Sequence, residues 1–191
     1  MTPVLRVAGY AIVSADGMIA DASGEMPPAI VNEADQRFFA QALDGADILV
    51  HGRNSHEHQP NSPQRRRLVL TRTIDSIEPD PTNVKLAHWN PAGATLEAAC
   101  AALGVTQGTV AVIGGTEVFG LFLPRYDAFH LTLAARAHLP GGRPVFPGIP
   151  PATPDELLRR HGLVAGPPRI LDAASDVTLV TWRRAESPRG D

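Results

Sequence analysis

Apolar positions along the 191-residue chain follow two alternating periodicities, and these predict the order of its elements. Short β-branched runs typical of buried strands are separated by segments with apolar residues three or four apart, as in helices. Strands and helices are thus predicted, in order, in LRVAGYAIVS, NEADQRFFAQAL, ADILVHG, RRLVLTR, KLAHW, TLEAACAAL, TVAVIGG and TEVFGLFL. This order predicts an α/β fold whose mostly parallel central sheet carries helices on both faces.

The last third of the chain has a different pattern. The runs AFHLTLAA, PVFPGI, RILDA and VTLVTWRR predict strands separated by only one short helix, near PDELLRR. Strands that follow one another so closely favour an antiparallel edge. We expect one domain over residues 1–191, with a frayed tail from about residue 185, because AESPRGD is polar and contains Pro and Gly.

Polar residues mark where two helices begin. Asn32 is a good N-cap for the first helix, and Glu33 and Asp35 place acidic groups in its first turn, where the helix dipole favours them. Thr95 is expected to cap the second helix, which should stop at Gly104.

Composition narrows the function to small-molecule chemistry. The 17 Lys and Arg nearly balance 20 Asp and Glu, and the net charge of -3 gives no basis for binding nucleic acid or an acidic membrane. Cys100, the one cysteine, cannot form an internal disulfide and is expected to be inert core packing. The amino terminus has no long apolar run. We expect a cytoplasmic protein with a small-molecule substrate, either monomeric or homodimeric.

The strongest local signal for chemistry is VAVIGGTEVFGLFL. A β-branched strand ends in Gly114 and Gly115, and a helix begins near Thr116. Free backbone N–H groups and paired glycines at a helix start allow a phosphate to approach closely. The same diglycine could equally be a plain tight turn.

Two further strand ends carry cations. In ILVHGRNSHE, Gly52 closes a strand and Arg53, Asn54 and Ser55 are expected to open a short helix; in RRLVLTRT, Thr71 and Arg72 follow the next strand. Open α/β sheets bind ligands at this edge, and arginine pairs well with phosphate. Either arginine could instead be a solvated loop residue. Taken together, these segments suit a dinucleotide.

In order and spacing these segments resemble the dihydrofolate reductase superfamily from about Val7 to Trp182. AIVSADGMIA is similar to that family's first strand, GRNSHE to its Gly-Arg-x-Thr-Trp-Glu segment, and SPQRRRLVLTR to its Pro-Gly-Arg segment. VIGGTEVFGLFLPRYDAFHLT is similar to its Ile-Gly-Gly segment and the His-Leu-Thr strand that follows. The resemblance implies that fold and a reductase that uses NADPH.

The resemblance also implies roles for individual residues. Arg72 with Thr71 would meet the adenosine 2'-phosphate, and two arginines at this edge favour NADPH over NADH. The expected cofactor-binding residues are Ile12, Ile19, Gly52, Arg53, Asn54, Ser55, Thr71, Arg72, Ile113, Gly114, Gly115, Thr116, Glu117 and Val118.

On the substrate side, the resemblance implies one carboxylate on the first helix that helps protonate the heterocycle. Asp35 fits best, because Phe39 follows it one turn later on the same helix face. Glu33 is the competitor, and either acid could merely complement the helix dipole. Phe39, Arg65 and Thr132 are expected to bind substrate, Arg65 as a clamp for a carboxylate, although Arg65 lies in a run of three arginines that could be solvated.

The chain also departs from the dihydrofolate reductase pattern. Met26-Pro27-Pro28 stands where that family has Pro-Trp, and LPGGRPVFPGI resembles the reductase domain of riboflavin biosynthesis. The substrate is therefore expected to be dihydrofolate or a related pterin, with a ribosylamino-pyrimidine as the alternative. A non-catalytic dinucleotide-binding protein is a further alternative. No metal is expected, because His51, His56, Glu57 and His58 lack the spacing of a metal site.

Overall fold

One mixed sheet organises the protein, and helices cover both of its faces. The structure is a computed structural model that describes residues 4–55 and 57–185. Of the expected frayed tail, only Ala185 is among the described residues. The helices are α1 (Glu33–Asp44), α2 (Leu96–Ala102), α3 (Thr116–Phe122) and α4 (Pro154–Arg160).

Twelve strands are described, ten of them in the main sheet. They are β1 (Leu5–Ser14), β2 (Met18–Ala20), β3 (Ile48–Gly52), β4 (Arg67–Leu70), β5 (Ile77–Pro79), β6 (Leu86–Trp89), β7 (Gly108–Gly114), β8 (Ala128–Ala134), β9 (Arg143–Pro144), β10 (Leu163–Ala165), β11 (Arg169–Asp172) and β12 (Val177–Arg184).

The main sheet has a parallel centre and antiparallel edges. Its order is β10-β12-β8-β1-β7-β3-β4-β6-β5, and β11 also pairs with β12. The six strands from β8 to β6 run parallel, whereas β12, β10 and β11 at one edge and β5 at the other run antiparallel. The predicted fold class is confirmed.

Three local expectations differ from the structure. The segment PVFPGI contributes only Pro144 to the two-residue strand β9, because Val145, Phe146 and Ile149 are buried in the core beside a turn. The short strands β2, β5 and β10 have no clear sequence pattern and were not predicted. Arg53 and Asn54 form a turn, closed by the Ser55 N–H donating to the Gly52 carbonyl (3.1 Å), where a helix was expected.

The predicted caps are confirmed. The Asn32 side chain accepts hydrogen bonds from the N–H groups of Ala34 and Asp35, and Thr95 accepts one from Ala98. Each bond satisfies a donor that a helix start leaves free. The second helix ends at Ala102, with Gly104 in the left-handed region (φ 74°) two residues later.

The two sheet faces carry separate apolar clusters. The larger one lies under α2 and α3 and contains Phe119, Phe122 and Phe129. The smaller one lies under α1, where Leu43 and Phe39 pack against Tyr10, Leu49, Ala111 and Ile113. Cys100 is fully buried in the larger cluster, and burial raises the pKa of its thiol to about 12. The thiol is therefore protonated and unreactive at neutral pH.

The close packing of β8 against β1 predicts that Gly9→Ala destabilises the fold. A Cβ at Gly9 would lie 2.3 Å from Cδ2 of the fully buried Phe129. We expect a loss of about 1–3 kcal/mol in the free energy of unfolding, measured by urea denaturation. Gly45→Ala is the control, because a Cβ there would meet its nearest atoms at 3.7 Å. Equal unfolding midpoints for the two variants would contradict this account.

Candidate active site

A carboxylate on α1 meets a hydroxyl on β8. Asp35 lies in the first turn of α1, and the side chain of the buried Thr132 hydrogen-bonds its carboxylate. Ile12 of β1 is the register partner of Thr132, so it lies directly beside this pair. The site thus joins three segments that are far apart in the sequence.

The electrostatics distinguish the two candidate acids. Burial raises the pKa of Asp35, although the hydrogen bond from Thr132 acts in the opposite direction. Glu33 has a side chain that is 91% exposed and lies 3.5 Å from Nη1 of Arg37, also largely exposed. An exposed pair of this kind contributes little and leaves Glu33 an ordinary surface group. The geometry therefore favours Asp35 over Glu33.

The loops after β3 and β7 come together at the same edge of the sheet. A Cβ at Gly52 would lie 3.9 Å from the carbonyl oxygen of Gly114 and from the nitrogen of Gly115. A Cβ at Gly115 would lie 3.1 Å from Oγ of Ser55. Gly114 has φ 123°, a conformation that side chains other than glycine rarely adopt, so at this position a side chain is disfavoured by the backbone itself.

The remaining polar side chains at this edge of the sheet are either exposed or already hydrogen-bonded within the protein. Arg53, Asn54, Arg72 and Glu117 are exposed. Among the described residues neither Arg53 nor Arg72 has a hydrogen-bond or ion-pair partner. Thr71 shares a hydrogen bond with Thr73 (2.8 Å), and Thr116 donates to the Pro144 carbonyl. The two arginines are thus positioned to take an anion.

Apolar side chains lie near the Asp35–Thr132 pair and near the diglycine loop. Val118 is buried beside Gly52, and Ile19 packs against the larger cluster. Phe39 and Ile113 belong to the smaller cluster under α1, where the Phe39 ring meets the Tyr10 ring edge-on at 6.4 Å. Apolar side chains thus lie near this edge on both faces of the sheet.

Arg65 lies elsewhere, and the structure does not support its role as a carboxylate clamp. Its side chain is 6% exposed, and its Nη2 donates to Asp44 Oδ1 at 2.5 Å. Its Nη1 lies 2.9 Å from Oε1 of Glu57. Both ends of the guanidinium already face a carboxylate, so a substrate carboxylate would have to displace one of them.

This cluster of ion pairs was not expected from the sequence. Glu57 also binds Arg67, whose Nη1 lies 3.5 Å from Nε2 of His51. The available signal was spacing: Arg65 and Arg67 are two residues apart, so extended backbone places both on one face, whereas Arg66 is exposed on the other. Within the described part of the chain, no three His, Cys, Asp or Glu side chains are grouped as they would be to hold a metal ion.

Comparison with known proteins agrees with this fold. The chain matches the dihydrofolate reductase family over residues 11–155. It therefore belongs to the dihydrofolate reductase family and is a reductase of the dihydrofolate reductase-like superfamily. No curated protein sequence matches it.

Solved structures of similar fold include a riboflavin biosynthesis protein, a dihydrofolate reductase and a pyrimidine reductase. A putative riboflavin biosynthesis protein from Shewanella sp. PV-4 is 20% identical, with 95% of this chain and 99% of that chain covered and a TM-score of 0.63. Dihydrofolate reductase from Enterococcus faecalis, complexed with NADP(H) and RAB-propyl, is 20% identical over 95% and 97% of the two chains, with a TM-score of 0.63. A diaminohydroxyphosphoribosylaminopyrimidine deaminase/5-amino-6-(5-phosphoribosylamino)uracil reductase from Thermotoga maritima is 16% identical over 96% and 57% of the two chains, with a TM-score of 0.64.

The burial of Asp35 predicts that Asp35→Asn stabilises the fold at neutral pH. A carboxyl group with a raised pKa in the folded chain loses stability as the pH rises from its unfolded to its folded pKa, and the deficit persists above that range. The variant should unfold at a higher urea concentration than the parent at neutral pH, and the difference should close below about pH 4, the usual pKa of Asp. Glu33→Gln should give no such gain. Parallel stability curves for Asp35→Asn and the parent would contradict a raised pKa.

Proposed function

We propose that this protein is an NADPH-dependent oxidoreductase that transfers hydride to dihydrofolate or a related pterin, at a CH–NH or related group. The observation that carries the proposal is the Asp35–Thr132 pair at the start of α1. Thr132 lies on β8, two strands or about 10 Å from the strand that ends in Gly114. A carboxyl group and the diglycine loop, whose backbone a ligand can approach closely, therefore lie at one edge of the sheet.

Asp35 has the properties that a proton donor for this reaction needs. Reduction of an imine adds hydride to the carbon and requires a proton at the neighbouring nitrogen. A carboxyl group whose pKa is raised by burial keeps its proton at higher pH than an exposed Asp does. The Thr132 side chain hydrogen-bonds this carboxyl group. Its burial is also the feature that favours an enzyme over a non-catalytic dinucleotide-binding protein, which would have no use for it.

The residues at the diglycine edge fit a dinucleotide phosphate. Gly114 and Gly115 leave their backbone open to close approach, and Ser55 places a hydroxyl beside them. Arg53 and Arg72 follow the register-paired ends of β3 and β4, and both carry charges that the described residues do not neutralise. NADPH would be held here, with Ile12, Ile19 and Val118 as apolar neighbours, and it would supply the hydride. The Enterococcus faecalis enzyme of similar fold was solved with NADP(H).

A riboflavin-pathway type of reductase, acting on a ribosylamino-pyrimidine, is the second candidate. The ion pairs of Arg65 with Asp44 and Glu57 favour this second candidate, because they leave no free guanidinium there for the carboxylate of folate. The similarity to the Shewanella and Thermotoga proteins agrees with it. NADPH oxidation with dihydrofolate, dihydrobiopterin and the riboflavin-pathway pyrimidine would separate the two candidates.

We further propose that the chain acts as one domain in the cytoplasm, as a monomer or homodimer, on a small molecule. No helix among the described residues is long and apolar enough to cross a membrane.

Replacement of Asp35 should abolish most of the activity without loss of the cofactor. We expect Asp35→Asn to lower kcat by about a hundredfold or more at neutral pH, with partial recovery in acid, where solvent protonates the substrate. NADPH affinity, measured by fluorescence titration, should be unchanged. Glu33→Gln is the matched control and should retain full activity. The reverse result would identify Glu33 as the acid, and full activity of both variants would reject this mechanism.

Removal of the Arg72 charge should reduce the preference for NADPH over NADH. The guanidinium of Arg72 has no partner among the described residues, and NADH offers it no 2'-phosphate. Arg72→Ala should weaken NADPH binding by about tenfold and leave NADH binding unchanged. Arg66→Ala removes another exposed arginine next to β4 and serves as control. Equal affinities of the unaltered protein for the two cofactors would exclude phosphate recognition by arginine.

A further inference from the structure

A buried cluster of two arginines and two acids joins the end of α1 to the segment before β4. Arg65 is held by Asp44 and Glu57, and Glu57 also binds Arg67. The side chains of Arg65, Glu57 and Arg67 are 6%, 5% and 9% exposed, whereas Asp44 is 46% exposed. Two positive and two negative charges cancel, so the cluster is neutral.

This cluster lies on the same helix as the proposed acid but at its other end. Asp35 is in the first turn of α1 and Asp44 is its last residue, about 13 Å away along the helix axis. A cleft of about 400 Å³ opens there between the end of α1 and residues 61–66, and its charged lining residues are Asp44, Asp47, Arg65 and Arg66. A heterocycle held at Asp35 can reach this cleft only through a long tail.

The charges around Arg65 make this guanidinium unfavourable as a partner for an anionic tail. A carboxylate that bound Arg65 would lie within a few ångströms of the carboxylates of Asp44 and Glu57, and like charges at that distance repel. Displacing Glu57 would take one of its two arginine partners from a buried acid, which is costly. Displacing Asp44 is the smaller change, because this side chain is half exposed and also accepts from Asn61 (3.2 Å).

We propose that Asp44 and Glu57 are specificity-determining residues that neutralise Arg65 and so select a compact, uncharged pterin over one with a carboxylate tail. This inference rests on the proposed function, since it concerns the substrate of the same site. Asp44 is the residue to test, because its removal adds one net positive charge to the cluster without exposing a buried acid.

The test compares Asp44→Asn with the unaltered protein on two substrates, dihydrobiopterin without a carboxylate and dihydrofolate with its glutamate tail. The unaltered protein should have the higher kcat/KM for dihydrobiopterin. In Asp44→Asn, KM for dihydrofolate should fall by about five- to tenfold, as expected for one freed charge-assisted bond, while kcat and the constants for dihydrobiopterin stay within about twofold. Glu97→Gln is the matched control, because Glu97 is an acid paired with Arg125 on a helix of the opposite sheet face.

A second readout separates this inference from the proposed function. Equilibrium binding of folate and biopterin, followed by protein fluorescence, does not require turnover. If neither substrate is reduced but Asp44→Asn still tightens folate selectively, the proposed function fails and the specificity inference stands. A preference of the unaltered protein for dihydrofolate, an unchanged response to folate in Asp44→Asn, or no pterin binding by either protein would overturn the inference.

Discussion

The parallel pairing of β1 between β7 and β8 is the constraint on which the rest of the structure depends. It places the carboxyl ends of strands from both halves of the chain at one edge and sets Ile12 beside Thr132, 120 residues later in the numbering. Because parallel neighbours need crossover connections, α1 and α3 must pack on the sheet faces. The bare backbone of Gly9 permits this pairing, since the Phe129 ring lies where a Cβ would be. The acid, the hydroxyl and the diglycine loop then meet at one edge.

Charged side chains in and near the candidate site have three different environments. Asp35 is half-buried with no cation beside it among the described residues, and burial raises the pKa of its carboxyl group. Arg65 is buried with two acids and is neutralised. Arg53 and Arg72 are exposed and available to an anion. An unpaired buried acid reduces stability, which is the cost commonly found where a group is kept for reaction.

Burial also separates groups of similar appearance in the sequence. Arg65, Arg66 and Arg67 form one run, yet the first and third point into the protein and the second points to solvent. Glu33 and Asp35 both complement the dipole of α1, yet only Asp35 meets Thr132. In each case the environment is decided by rotation about the chain axis, about 200° over two helical residues or about 180° between neighbours in extended backbone. Residue type alone therefore does not show which of these side chains are buried.

The sequence by itself determined the fold class and most elements, because long apolar runs with period two or near 3.6 have few ways to be buried. The helix caps Asn32 and Thr95 were also predictable from the sequence, because they act through hydrogen bonds within three residues. Short strands such as β2, β5 and β10 were not, because three residues are too few to show a period and each strand forms through pairing with a distant segment or a neighbouring strand. The sequence also named Asp35, Thr132 and the diglycine as candidates, through local spacing and family resemblance.

Only the tertiary structure decided which candidates meet and in what state of charge. Arg65 was expected to be free to bind substrate, but it pairs with Asp44 and Glu57. These acids lie 21 and 8 positions before it in the sequence, and α1 and the loop after β3 bring them to Arg65. The pKa of Asp35 likewise depends on burial against a strand almost a hundred residues later in the chain. Local patterns report what a side chain can do, whereas the dielectric and the counterions around it come from distant segments that only folding brings into contact.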